Sequence, residues 1–289
     1  MLDTGASGIV VSRRAAEKSG LSRIAEIRVS GIGDRGSQGG YTAVADYIWV
    51  GELEFEDCVV RVAEKMTDMD EDGLIGTDVF SSYLIDMDML GKRLRLSPLP
   101  KRPDEVVAPT ALSSQGESRS SVENADNKGT SSSGQPTSSP QQPRLPKDRY
   151  VAPEMKGWLP IFRFGHQLLI PTRVNDSKPM LFLIDTGSFD NMLSTTAARQ
   201  VSDLLADTTG VNVRGLSGPV DRVYRAKAKV QFGHLANKDL RMLTLDLSKI
   251  STGTGTEVSG ILGFDMLSVM DLKIDYRDGL VDFTYNPKH

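Results

Sequence analysis

Asp3-Thr4-Gly5 and Asp185-Thr186-Gly187 set a carboxylate, a hydroxyl and a glycine in the same order twice in one chain. Carboxyl groups are general acids and bases, and two that meet cannot both ionise cheaply, so such a pair is suited to sharing and moving a proton. One copy says little, because an aspartate before Thr-Gly also caps a tight turn. The surroundings repeat as well. Leu2 precedes the first copy and Ile184 the second, with Ala6-Ser7 and Ser188 following. Gly73-Leu74-Ile75-Gly76-Thr77-Asp78-Val79-Phe80 matches Gly260-Ile261-Leu262-Gly263-Phe264-Asp265-Met266-Leu267. Tyr83-Leu84-Ile85-Asp86-Met87-Asp88 then matches Met270-Asp271-Leu272-Lys273-Ile274-Asp275. From the aspartate to the second glycine is 73 residues in one half and 78 in the other. Three blocks in one order at matched separations mark a duplication.

The elements that must position these residues read as β. Ile27–Ser30, Tyr41–Val50 and Cys58–Val62 are rich in β-branched and aromatic residues, and Leu94–Leu96 returns from a turn at Gly91-Lys92. In the second half Gly165–Val174 and Met180–Ile184 form a hairpin through Asn175-Asp176. Val223–Phe232, Leu240–Leu245, Leu272–Tyr276 and Leu280–Tyr285 add strands, the last two turning at Asp278-Gly279. Short helices are expected at Ser12–Lys18, at Thr195–Leu205 and after each Leu-Ile-Gly or Ile-Leu-Gly. Between the halves, Ser113–Arg144 is Ser, Pro, Gln, Gly, Asn and charge with Val122 as its one large aliphatic residue, too little apolar surface to offset ordering. The expected organisation is therefore a lobe at 1–98, a disordered linker at 99–154 and a second lobe at 155–289.

With its duplicated Asp-Thr-Gly and its Leu74-Ile75-Gly76 and Ile261-Leu262-Gly263 partners, the sequence resembles the aspartic peptidases. Each half is closer in size to a retropepsin protomer than to a pepsin lobe. The resemblance covers all but the linker and implies an all-β acid-protease fold of two β-barrel-like lobes joined in one chain. It further implies an aspartic endopeptidase with Asp3 and Asp185 as the catalytic pair. A water between them would attack the scissile carbonyl, with no covalent intermediate, metal or cofactor. By the same resemblance Thr4 and Thr186 brace the two loops, Gly5 and Gly187 admit backbone close to the carboxylates, and Ser188 supports Asp185. Ala6 stands at Ser188's equivalent, a variant retropepsins also show. Flaps over an extended peptide substrate would be Gly31–Gly40, with Gly31, Gly33 and Gly36, and Gly215–Arg222, with Gly215 and Gly218.

Other chemistries fare worse. The 289 residues carry 34 Lys and Arg against 38 Asp and Glu, a net charge of −4 without the basic face of a nucleic-acid binder. Cys58 is the single cysteine and reads as a buried small hydrophobe beside Val59 and Val60, and His166 and His234 read as surface turn residues. No apolar run is long enough to span a membrane. Gly31-Ile32-Gly33-Asp34-Arg35-Gly36 fits GxGxxG, but the glycines run on into a strand rather than opening a helix. Asp68-Met69-Asp70-Glu71-Asp72-Gly73 imitates a calcium loop, yet Val79 stands where the bidentate glutamate belongs.

The halves also differ. Asp185 is preceded by a full hairpin from Trp158, whereas only Met1 and Leu2 precede Asp3. This predicts either a start that lies further upstream or a degenerate first lobe, and the latter motivates the alternative of a non-catalytic peptide-binding or scaffold protein. The compartment stays open, and a secretory segment ahead of Met1 would make it extracytoplasmic. A 56-residue linker spans roughly 40 Å as a flexible coil, so the lobes are expected to pair within one chain, with pairing between two chains as the other arrangement.

Overall fold

The computed structural model describes residues 1–66, 72–103, 149–201 and 213–286. The first half contributes β1 (Leu2–Asp3), β2 (Ile9–Ser12), β3 (Arg23–Val29), β4 (Gln38–Val50), β5 (Leu53–Ala63), β6 (Gly73–Gly76), β7 (Tyr83–Asp88) and β8 (Arg93–Pro98). The second contributes β9 (Leu159–Pro160), β10 (Phe162–Phe164), β11 (Gln167–Val174), β12 (Met180–Ile184), β13 (Met192–Ser194), β14 (Arg214–Gly215), β15 (Gly218–Pro219), β16 (Tyr224–Phe232), β17 (Leu235–Leu245), β18 (Gly260–Leu262), β19 (Met270–Asp275) and β20 (Leu280–Tyr285). Among the described residues four short α-helices join them, α1 (Arg13–Lys18), α2 (Thr195–Val201), α3 (Ser248–Thr254) and α4 (Phe264–Leu267), with 3-10 helices at Thr77–Phe80 and Pro153–Met155. None of the described helices is long and apolar enough to cross a membrane.

The fold is mostly β, and the two halves repeat one wiring. In the first, the sheet order is β1-β6-β2-β5-β4-β3; in the second it is β10-β11-β12-β18-β13-β17-β16, with β11 also pairing β16. The aspartate strand lies parallel to the Gly-containing strand in both, Leu2 beside Ile75 and Ile184 beside Leu262. Each strand that follows the aspartate ends in a serine whose hydroxyl accepts an amide of the next helix: Ser12 from Ala15 at 3.1 Å and Ser194 from Ala197 at 3.0 Å. That serine is a helix N-cap, which is why the chain turns from strand to helix there.

A third sheet, β8-β7-β19-β20-β9, draws strands from both halves. Its central pairing sets Ile85 opposite Ile274 and Met87 opposite Leu272, all buried. The largest apolar cluster spans this junction, with Phe80, Ile85 and Met87 from one half packed with Phe182, Ile184, Leu272 and Phe283 from the other.

Several expectations shift. β4 and β5 are longer than the apolar runs suggested, because they form one extended hairpin turning at Gly51-Glu52. The helix α3 lies in a polar Ser-Lys-Ile-Ser-Thr stretch that carries no helical apolar period. Cys58 is half-buried rather than buried, at the rim of a small cluster with Ala43 and Val60. Gly31–Gly36 leads into the strand β4, so no helix N-terminus stands there to receive a pyrophosphate. Thr195–Leu205 begins as a helix through Val201, and its remainder lies outside the described residues, as do Asp68–Glu71 and the 104–148 stretch of the expected linker. The ends of that linker are anchored: Ala152 and Met155 are buried, and Arg102 meets Asp278.

Candidate active site

Asp3 closes β1 and Asp185 follows β12, so each aspartate leaves its sheet at the point where the two halves meet. Each carboxylate folds back over its own loop. Asp3 Oδ1 accepts the amides of Gly5 at 2.7 Å and Ala6 at 3.1 Å, and Asp185 Oδ1 accepts those of Gly187 at 2.9 Å and Ser188 at 3.1 Å. Both aspartates are 8% exposed.

The loops are locked crosswise. The Thr4 amide donates to Thr186 Oγ1 at 3.1 Å and the Thr186 amide to Thr4 Oγ1 at 3.0 Å. Each hydroxyl then donates across the junction, Thr4 to the Ile184 carbonyl at 2.7 Å and Thr186 to the Leu2 carbonyl at 3.1 Å. A hydroxyl can accept one bond and donate another, so threonine satisfies two buried backbone groups of the opposite half at once. The glycines complete the exchange. A Cβ at Gly5 would lie 2.6 Å from Asp185 Cγ, and one at Gly187 would lie 2.4 Å from Asp3 Cγ. Only glycine lets each carboxyl group lie against the other half's loop, and this brings the two aspartates into contact.

The electrostatics follow. Burial first, then the charge of Asp3 and a side-chain hydrogen bond with it, push the Asp185 carboxyl well above the usual carboxylate range. The Gly187 and Ser188 amides pull the other way without prevailing. Asp185 therefore carries a proton at pH values where an ordinary aspartate has lost it.

Support for Asp185 comes from the Ser188 amide, while the Ser188 hydroxyl donates instead to the Asp190 carbonyl at 3.0 Å. The sequence reading passed over a second pair of aspartates. Asp78 accepts the Gly8 amide at 2.9 Å, and Asp265 accepts the Asn191 side-chain amide at 3.2 Å. Asn191 in turn takes the Gly263 amide at 3.0 Å. These aspartates tie the far end of each motif loop to its Gly76 or Gly263 turn. Their signal was present, since an aspartate stands two residues after the second glycine in both halves.

His166 was also missed as more than a surface turn. It sits at the β10–β11 turn of the second half, yet it bonds to the Gly5 backbone of the first half and feels the charges of Asp78, Arg61 and Asp3 there. Burial lowers its pKa against the opposing pull of Asp78 and of a bond to the Gly5 backbone.

The glycine-rich segments meet above each other's backbone. Ser217, between β14 and β15, donates its amide to the Ile32 carbonyl at 2.9 Å, and its hydroxyl accepts from the Gly31 amide at 3.0 Å. The Arg35 amide donates to the Ser217 carbonyl at 2.9 Å, and Gln38 Nε2 to the Leu216 carbonyl at 2.7 Å. Gly33, at φ 132°, packs its Cα onto the Ser217–Gly218 backbone and offers its carbonyl to Lys249 Nζ at 2.9 Å. Gly215 packs on the Ile32 carbonyl and Gly218 beside Arg35, whereas Gly36 faces open space and takes no part.

A family model described as Aspartyl protease matches residues 1–79 and 170–266, more than half of the chain. The chain belongs to the aspartyl protease family. Both matched segments contain an Asp-Thr-Gly loop and its Gly76 or Gly263 turn, so the family assignment rests on both halves. Among solved structures, the chain is similar to an EIAV protease complexed with the inhibitor HBY-793, at 21% identity over 37% of this chain and 89% of that one, with a TM-score of 0.29. It is similar to a retropepsin-like aspartic protease from Rickettsia conorii at 19% identity, covering 43% of this chain and 86% of that one, TM-score 0.29. An aspartic proteinase from Irpex lacteus aligns at 10% identity over 99% of this chain and 89% of that one, TM-score 0.47. No curated protein matches the chain.

Proposed function

We propose that this family member is an aspartic endopeptidase in which Asp3 and Asp185, one from each half, jointly activate a water for attack on a peptide carbonyl. The observation that supports it best is the crossed pair: two buried carboxyl groups in contact, each fixed by two amides, with the Asp185 carboxyl pushed upward by burial and by Asp3. In such a pair the ionised partner takes a proton from the water as it attacks, and the protonated partner donates to the carbonyl oxygen. Collapse of the tetrahedral intermediate returns a proton to the leaving amine, and the pair ends with the one shared proton it began with. The dyad titrates as a unit, so acid and base are roles of the pair.

Substrate would lie extended between the dyad and the two interlocked glycine-rich segments. The Ile32–Ser217 contacts make those segments a single cover, and main-chain groups there would hold a peptide in strand geometry. Phe189, directly after the second motif loop and 71% exposed, presents an apolar face for a substrate side chain.

Peptide cleavage across roughly pH 3–7 by the chain and by Asp185→Asn tests the reading. The variant is expected to lose about 10²–10⁴-fold in turnover, the range for removal of a general acid or base. Equal activity in both proteins would reject the dyad. Peptide binding without turnover by the unmodified chain would assign the non-catalytic alternative instead.

A further inference from the structure

The two halves differ in the link that leads into the Gly76 or Gly263 turn. In the first half residues 64–72 join β5 to β6, whereas in the second residues 246–259 join β17 to β18 and include α3. The longer link is built as a firm base. Asp246 Oδ1 accepts the Ser248 amide at 2.8 Å where α3 begins, and Gly255 ends the helix in the left-handed region at φ 73°. Ser251 Oγ accepts the Val258 amide at 3.0 Å, which folds the return of the link onto the helix. Ile250 packs on the apolar cluster that holds Leu245, Leu247 and Val258.

Lys249 projects from this base to the other half, where its Nζ donates to the Gly33 carbonyl at 2.9 Å. Gly33 lies in the first glycine-rich segment, which spans the turn between Val29 and Gln38, the last pair of β3 and β4. That segment is rooted in the first half, but its tip rests on the second. Ile32 packs at the edge of the cluster that Ile250 also covers, the Gly31 and Arg35 amides bond to Ser217, and the Asp34 amide donates to the Pro219 carbonyl at 3.0 Å. The second segment is rooted beside its own tip, with Val213 and Val223 buried in that cluster and Val220 packed against it. The first segment is thus the long arm of the cover, and a peptide reaches the dyad when that arm lifts off the second half. The Ser217 and Pro219 bonds tie the arm to the other segment. Lys249 ties it to a helix in the body of the half.

We propose that Lys249 is a positioning residue for the peptide substrate: its ammonium group latches the tip of the first segment to α3 and so sets how firmly the cover closes. The inference rests on the reading that the cover holds substrate over the dyad. An exposed ammonium suits a latch, because its one charged hydrogen bond to a carbonyl forms and breaks at the cost of little more than an exchange with water.

Lys249→Met keeps the stem and removes the donor, and Lys249→Arg keeps a charged donor. In the full chain without substrate, amide exchange at Gly31, Asp34 and Arg35 is expected to speed about fivefold in Lys249→Met, which corresponds to about 1 kcal/mol, and to return toward the parent in Lys249→Arg. The Gly5 and Gly187 amides report the dyad loops and the Ser251 amide reports α3, and all three are expected to stay as they are. On the peptide that the parent cleaves fastest, Lys249→Met is expected to raise KM severalfold at constant kcat, with Lys249→Arg restoring it. Unchanged exchange at Gly31, Asp34 and Arg35 would overturn the latch. So would a speeding shared by Gly5, Gly187 and Ser251, which would make Lys249 a residue of general stability. Faster exchange with an unchanged KM would remove the positioning role. A parent chain that cleaves no peptide would reject the endopeptidase reading and the positioning role with it, while the exchange result still decides the latch.

Discussion

Thr4 shows how much one side chain does at this junction. It is fully buried, its hydroxyl donates to the Ile184 carbonyl and accepts from the Thr186 amide, and valine would keep its shape while removing both bonds. Unsatisfied buried groups cost roughly 1–3 kcal/mol each, so Thr4→Val is expected to destabilise the chain by about 2 kcal/mol or more. A denaturant titration reads this directly, and an unchanged midpoint would show that the crossed bonds carry no stability. Asp185 makes a prediction of opposite sign. Its folded pKa is raised, so its contribution is fully present below the ordinary aspartate pKa and is lost as pH rises through the raised value. Asp185→Asn removes that ionisation, and the variant's stability relative to the parent is expected to climb as pH rises from acid toward neutral. A pH-independent difference would contradict the raised carboxyl.

At the scale of elements, what could be read from the sequence was what is contiguous. Asp-Thr-Gly, Leu-Ile-Gly and the strand alternation of Val223–Phe232 lie within short windows, and the structure places β12 and β20 on the residues expected of them. What escaped depends on residues far apart in the chain. His166 comes to the first half's loop from the second half's hairpin, the β7–β19 pairing joins the halves, and Ser248–Thr254 is helical without a local apolar period. The interlocked cover lies between these cases. Its glycines were legible, but their cross-bonding was not, because Ser217 gave no hint of a partner 186 residues away at Gly31. Ser217→Ala removes the hydroxyl that receives the Gly31 amide and loosens the cover without touching the dyad. If the cover holds substrate, KM is expected to rise severalfold with kcat little changed, whereas a matched fall in kcat at constant KM would move the residue's role into the chemical step.

The whole molecule depends on keeping the halves together, and the shared sheet is clasped at one turn. Asp278, between β19 and β20, accepts the Tyr150 amide at 2.7 Å and pairs with Arg102 at 2.5 Å and Arg277 at 3.0 Å. Arg277 also reaches the Pro100 carbonyl at 2.6 Å. The chain entering the 104–148 stretch and the chain leaving it are thus fixed to the same carboxylate, so both ends of the connection are held at the second half whatever lies between them. Burial alone would raise the Asp278 pKa, but the Tyr150 amide and the two guanidinium groups outweigh it and hold the carboxyl below its usual range. A lowered folded pKa means stability that is present above the ordinary aspartate pKa and lost as pH falls through the depressed one. Asp278→Ala removes the carboxylate that both guanidinium groups and the Tyr150 amide share, and is expected to cost roughly 1–3 kcal/mol near neutrality. That cost should shrink on acidification, as the parent loses the same contribution. Thermal unfolding of parent and variant across the acid range decides it: a constant gap would mean that the clasp holds through packing alone, and a closing gap that its charge joins the linker ends to the sheet.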